Sequence, residues 1–162
     1  MGDGFLDVRT HGFARVAVAV PEVRVADPAF NAEAHLRLLE RVHREGAHYV
    51  LCPELGLSAY SCADLFFQET LLAASLAALG RVAEATAEWN LLVSVGMPLV
   101  VDDLLFNCAV TLFRGRAVAV APKAFPPTTA SSTSGAGSIP PPTPARARSR
   151  SSASACRSAR TC

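Results

Sequence analysis

Residues 49–60 read YVLCPELGLSAY. Four apolar or aromatic residues, 49–52, run into Pro53, which has no N–H to give to a sheet ladder. This is a short buried strand that ends abruptly, and Gly56 sharpens the turn that follows. Toward the N-terminus, residues 28–45 form a helix. Asp27 caps it ahead of Pro28, Leu36, Leu39 and Val42 share a face with Leu38 beside them, and Gly46 closes it. Before that helix, ARVAVAV at 14–20 reads as a buried strand. Toward the C-terminus, 64–89 is mostly helical with Gly80 as a weak point, and 91–97 is a strand. Segments 106–113 and 116–121 form a hairpin through Arg114-Gly115. The order β-α-β-α-β-β-β predicts an α/β layered fold around a central sheet.

The chain has 162 residues and a formal charge of +1. The length suits one domain, and the charge gives no reason to expect nucleic acid or an anionic membrane as a partner. No stretch reads as a secretory signal or a membrane span. The five cysteines, Cys52, Cys62, Cys108, Cys156 and Cys162, form no CxxC pair. An odd count with no signal sequence favours a reducing cytoplasm. His11, His35, His43 and His48 have no partner at a metal-ligand spacing, so surface or helix-face histidines are expected and no metal site. Composition breaks near Phe125. Residues 126–162 are almost entirely Ser, Pro, Ala, Arg, Thr and Gly, with Ile139 the one large aliphatic. Such a tail cannot bury enough surface to offset its chain entropy, and disorder is expected. The domain boundaries are therefore 1–125 and 126–162.

Three residues in the first part could carry chemistry. Glu54 directly follows a strand, where a partly desolvated carboxylate suits a general base; a loop or helix-start glutamate facing water fits the same position. Lys123, in VAPKAF, also follows what reads as a buried strand and could stabilise a developing oxyanion or favour a thiolate. A solvated lysine ending a strand is the more usual case. Tyr60 could form a wall or a hydrogen-bond donor near Glu54, against the commoner partly buried structural tyrosine. Cys52 and Cys108 lie inside buried strands and read as inert, and Cys62 as an incidental loop residue.

Together, PELGLSAY around Glu54 and APKAF around Lys123 resemble two motifs of the nitrilase superfamily of carbon–nitrogen hydrolases. That superfamily uses a Glu, a Lys and a Cys, in that chain order, at strand ends. HGFARVAVAVPEVRVADPAFNAE, ELGLSAYSCADLFFQETLL and LFNCAVTLFRGRAVAVAPKAF narrow the resemblance to the amidase domain of glutamine-dependent NAD synthetases, over about residues 9–125. It implies a partial nitrilase-type α-β-β-α sandwich. It implies Glu54 as general base, Lys123 as oxyanion-stabilising cation and Tyr60 in a glutamine pocket. It also implies ammonia passed to a separate ATP- and Mg-dependent synthetase domain that amidates deamido-NAD, large homo-oligomers, and no cofactor for this segment.

The family's nucleophile is expected well after the lysine motif, at a strand end before an acidic residue, and no cysteine here fits. The chain alone is therefore expected to be inactive. The tail is similar to a family continuation read out of frame. One shifted frame permits PNYREFYERRW from 126–137 and VPFGTDL from 156–162, and the basic-arm reading of its arginines then loses its motive. A sheet lacking its further strands is expected to expose an edge and apolar surface, and to aggregate. A standalone amidase of the same superfamily and a non-catalytic chain, either a binding or assembly module or a dead gene product, are the other readings.

Overall fold

The computed structural model describes residues 8–123; the tail and its two cysteines lie outside them. After a 3-10 turn at Val8–His11, the elements are β1 (Val16–Val18), α1 (Pro28–Arg44), β2 (Tyr49–Leu51), a 3-10 segment (Ala63–Phe67) and α2 (Glu69–Ala85). Three longer strands follow: β3 (Leu92–Val101), β4 (Leu104–Phe113) and β5 (Arg116–Pro122). The expected order of strands and helices is present. One mixed sheet has the strand order β1-β2-β3-β4-β5, parallel from β1 to β3 and antiparallel from β3 to β5.

The ends of α1 lie within a residue of those read from the sequence. The Asp27 carboxylate accepts the Phe30 amide at 3.0 Å, and Pro28 begins the first turn. Gly46 takes a φ of +73° just past the last turn, its amide donating to the His43 carbonyl at 2.9 Å. Leu39 of α1 and Ala78 and Val82 of α2 pack with Val50, Val93, Val95, Met97, Val110 and Leu112, which share one sheet face, into a single core. The two helices also pack on each other.

Four expectations need correction. Strand β1 is shorter than residues 14–20 and is not buried: Val16 and Val18 are 67% and 76% exposed. Only Ala17 and Ala19 turn toward the core, because a strand of period two at a sheet edge hides one face at most. Leu51 in β2 and Leu92 in β3 share the register positions of that open face and are exposed too. The long helix is two elements: Gln68 is extended, with φ −89° and ψ 122°, and separates the 3-10 segment from α2. The run Leu65-Phe66-Phe67 is consecutive rather than helically spaced, and Phe67 is left exposed. Strand β3 runs on through Pro98. Asn107, opposite Pro98 in β4, turns its carbonyl to Lys123 beyond β5. Pro98 therefore faces away from β4, toward the side where β2 has already ended, and no ladder bond is lost. Finally, β5 is not buried: it is exposed along its length, Val118 at 56% and Val120 at 51%, because as the last strand of the sheet among the described residues it pairs on one side only. His35 is a helix-face histidine, and the face is the buried one of α1.

Gly80 sits inside α2 without breaking it, and a methyl added there meets nothing within 4 Å. Gly80→Ala is expected to stabilise the chain by ~0.5–1 kcal/mol. A urea midpoint that fails to rise would contradict this.

Candidate functional site

The end of β2 carries the chain over β3. The Cys52 amide donates to the Ser94 carbonyl at 2.9 Å, and the Leu57 amide to the Gly96 carbonyl at 3.1 Å. Between these bonds the backbone turns sharply. Leu55 has a φ of +52°, the Gly56 amide donates to the Pro53 carbonyl at 3.2 Å, and the Ala59 amide to the Leu55 carbonyl at 2.8 Å. Leu55, Leu57 and Ala59 are buried and hold the segment down, so Glu54 is left facing out at a fixed point.

Asn31 and His35 anchor the same segment from α1. The buried Asn31 amide donates to the carbonyls of Leu57 (3.1 Å) and Arg24 (2.8 Å) and accepts the Arg24 amide (2.7 Å). His35 Nδ1 lies 2.7 Å from the Asn31 carbonyl. A carbonyl only accepts, so Nδ1 carries the proton and Nε2 is bare. Nε2 is buried without a partner and lies against Gly56, where an added methyl would come within 2.8 Å of it.

Burial lowers the His35 pKa below its usual 6.5, against the opposing pull of the Asn31 carbonyl. Its folded value being the depressed one, neutral His35 contributes stability that is present above about pH 6.5 and lost as pH falls from there through the folded value. His35→Gln is expected to flatten the fall in melting temperature below pH 6.5. An equally steep fall in the variant would refute the assignment.

Lys123 comes to Glu54 from the other direction. It follows β5, and its amide donates to the Asn107 carbonyl at 2.8 Å. Its ammonium donates to Glu54 Oε1 at 2.8 Å and Oε2 at 2.9 Å. The Asn107 side-chain amide donates to Glu54 Oε1 as well. The two paired side chains are 34% (Lys123) and 39% (Glu54) exposed, so the carboxylate is partly, not fully, withdrawn from water. The pair opens on a cleft of about 370 Å³ whose lining includes Pro53, Asn107, Cys108 and Cys52.

Tyr60 is not among the lining residues, and it is 66% exposed rather than partly buried. Cys62 is no loose loop residue. It is buried, and its thiol donates to the Ser58 carbonyl at 2.9 Å. Burial pushes the Cys52 thiol up to about 12 and raises those of Cys62 and Cys108, the opposite of what a thiolate nucleophile requires. Asn107 was not singled out from the sequence; the signal was a lone amide in the otherwise apolar run LLFNCAV. Among the described residues, no three His, Cys, Asp or Glu side chains gather as a metal site, and no helix is long and apolar enough to cross a membrane.

The carbon-nitrogen hydrolase family profile matches residues 15–124. The chain is 36% identical over 124 residues to the glutamine-dependent NAD(+) synthetase of Mycobacterium tuberculosis, covering 76% of this chain and 18% of that protein. To its Homo sapiens counterpart it is 28% identical over 93 residues, covering 57% and 13%. The chain thus spans under a fifth of the length of these curated relatives. Among solved structures, a glutamine-dependent NAD(+) synthetase from Cytophaga hutchinsonii superposes with a TM-score of 0.65 at 21% identity, covering 69% of this chain and 19% of that one. An amidase from Nesterenkonia sp. superposes at 0.60 and 20%, covering 69% and 43%.

Proposed function

The chain belongs to the carbon–nitrogen hydrolase family, and on that premise we propose that residues 8–123 are the base-and-cation part of a glutamine-hydrolysing domain. That domain would supply ammonia for the ATP-dependent amidation of deamido-NAD to NAD in the cytoplasm. The observation that carries the reading is the two-point ion pair between Glu54 and Lys123, delivered to one cleft from the ends of β2 and β5.

Glu54 takes the proton of a thiol, and the thiolate attacks the carbon of the glutamine side-chain amide. Lys123 stabilises the negative oxygen of the tetrahedral adduct. When the C–N bond breaks, the departing nitrogen takes the proton back from Glu54, leaving ammonia and a thioester. Water, deprotonated by Glu54, then releases glutamate and restores the thiol. The thiol is not among the described cysteines, all of which are held protonated by burial. Tyr60 lines the glutamine pocket in this reading only if a further segment closes over it.

The open face bearing Val16, Val18, Leu51 and Leu92 is where a second sheet would complete an α-β-β-α sandwich, and further copies would build a homo-oligomer. In this reading ATP and Mg belong to a separate synthetase domain, and no step here runs through them.

The test has two arms. The 162-residue chain alone is expected to release no ammonia from glutamine. A chimera carrying this segment in place of the matching 124 residues of the Mycobacterium tuberculosis synthetase is expected to release it. A folded chimera that hydrolyses another amide but not glutamine would overturn the substrate assignment.

A further inference from the structure

We infer that Asn107 is a positioning residue that makes one oxygen of the Glu54 carboxylate the proton acceptor. Its place in the fold is unusual because it holds both partners of the ion pair. Its backbone carbonyl accepts the Lys123 amide at 2.8 Å, fixing where the lysine leaves β5. Its side chain reaches the Glu54 carboxylate, 53 residues away in sequence. A carboxylate can only accept, so the nitrogen of the Asn107 amide must be the end that faces it.

The consequence is an asymmetric carboxylate. Oε1 accepts two donors, the Lys123 ammonium and the Asn107 amide, whereas Oε2 accepts the ammonium alone. Each carboxylate oxygen offers about two lone-pair directions. Among the described residues Oε1 is therefore saturated, and Oε2 keeps one direction open. Without Asn107 the carboxylate could turn about its last bond and exchange the two oxygens; with it, the side chain is held at three points. Resting on the reading of Glu54 as a base, Asn107 thus decides from which direction a thiol or water must approach to hand over its proton.

The chain supplies a direct readout, because Lys123 is its only lysine. Competitive acylation of the full 162-residue chain by an amine reagent, followed by mass spectrometry, reports Lys123 against the α-amino group. Asn107→Leu is expected to raise Lys123 labelling about three- to ten-fold, as a charge-assisted bond in a half-exposed pair is lost. In a Glu54→Gln background, where the pair is already broken, Asn107→Leu should add nothing. Asn107→Ser, too short to reach Glu54, should reproduce the effect and replaces leucine if that variant does not fold. Unchanged labelling overturns the inference, and so does an equal rise in both backgrounds, which is what mere loosening of β4 would give. The experiment needs no hydrolysis, so its failure and the failure of the glutaminase reading are seen separately.

Discussion

Gly96→Ala is expected to cost the chain ~3 kcal/mol or more and to scatter the Glu54–Lys123 pair. A methyl built on Gly96 would lie 2.4 Å from the Leu55 amide nitrogen, 2.5 Å from the Pro53 carbonyl oxygen and 2.8 Å from the Glu54 Cα. All three are backbone atoms of the segment that crosses β3, so no side chain can swing aside. Relief requires lifting the crossing itself, which breaks the Leu57–Gly96 hydrogen bond and unseats buried Leu55 and Leu57. Against a typical total of ~5–15 kcal/mol for a domain, that loss is large. The urea midpoint should fall by about 1 M or more, and Lys123 should become freely acylated. Gly80→Ala, the same change in open space, should go the other way. If Gly96→Ala leaves both the midpoint and the labelling unchanged, the close crossing is not how Glu54 is placed.

The two charged residues were legible because each follows an apolar strand stopped by a proline, Pro53 and Pro122, a local pattern of a few residues. The turn at Arg114-Gly115 was legible for the same reason: glycine accepts the positive φ of +73° that it shows. The other hairpin was not. Asp102 and Asp103 both take positive φ, at 50° and 62°, yet two aspartates carry a weaker turn signal than Asn-Gly, and Pro98 interrupts the pattern of a continuous strand. The burial of β1 was misread because an all-apolar run looks alike whether one face or both are covered. Asn107 and His35 escaped for a deeper reason. What makes each matter is a contact with the Glu54 segment brought about by folding; the lone amide in LLFNCAV marks Asn107 out but does not say what it touches, and nothing local marks His35. The placement of the site is thus written in short segments, while the control of its geometry is written in long-range pairings.

Glu54→Gln in the chimera is expected to lower kcat for glutamine hydrolysis by ~10²–10⁴-fold while moving its stability by no more than ~1 kcal/mol. The two halves of this prediction rest on different facts. Glutamine has nearly the shape of glutamate, so the crossing at Gly96, the cleft and the Asn107 anchor of Lys123 should all persist. The ion pair that is lost is more than a third exposed at Glu54, and pairs of that kind contribute little to folding. What disappears is the only carboxylate among the described residues at the junction of β2 and β5, the group that in this reading takes a proton from a thiol, returns it to the leaving nitrogen and takes another from water. Glu54→Asp should fall between the two, since it keeps the charge but withdraws it from both Lys123 and Asn107. Initial rates of ammonia release, read beside a thermal melt of each variant, separate the cases. A large rate loss with an intact melt marks Glu54 as the base, whereas parallel loss of both would make it a structural residue. Undiminished hydrolysis in Glu54→Gln would remove it from the chemistry altogether.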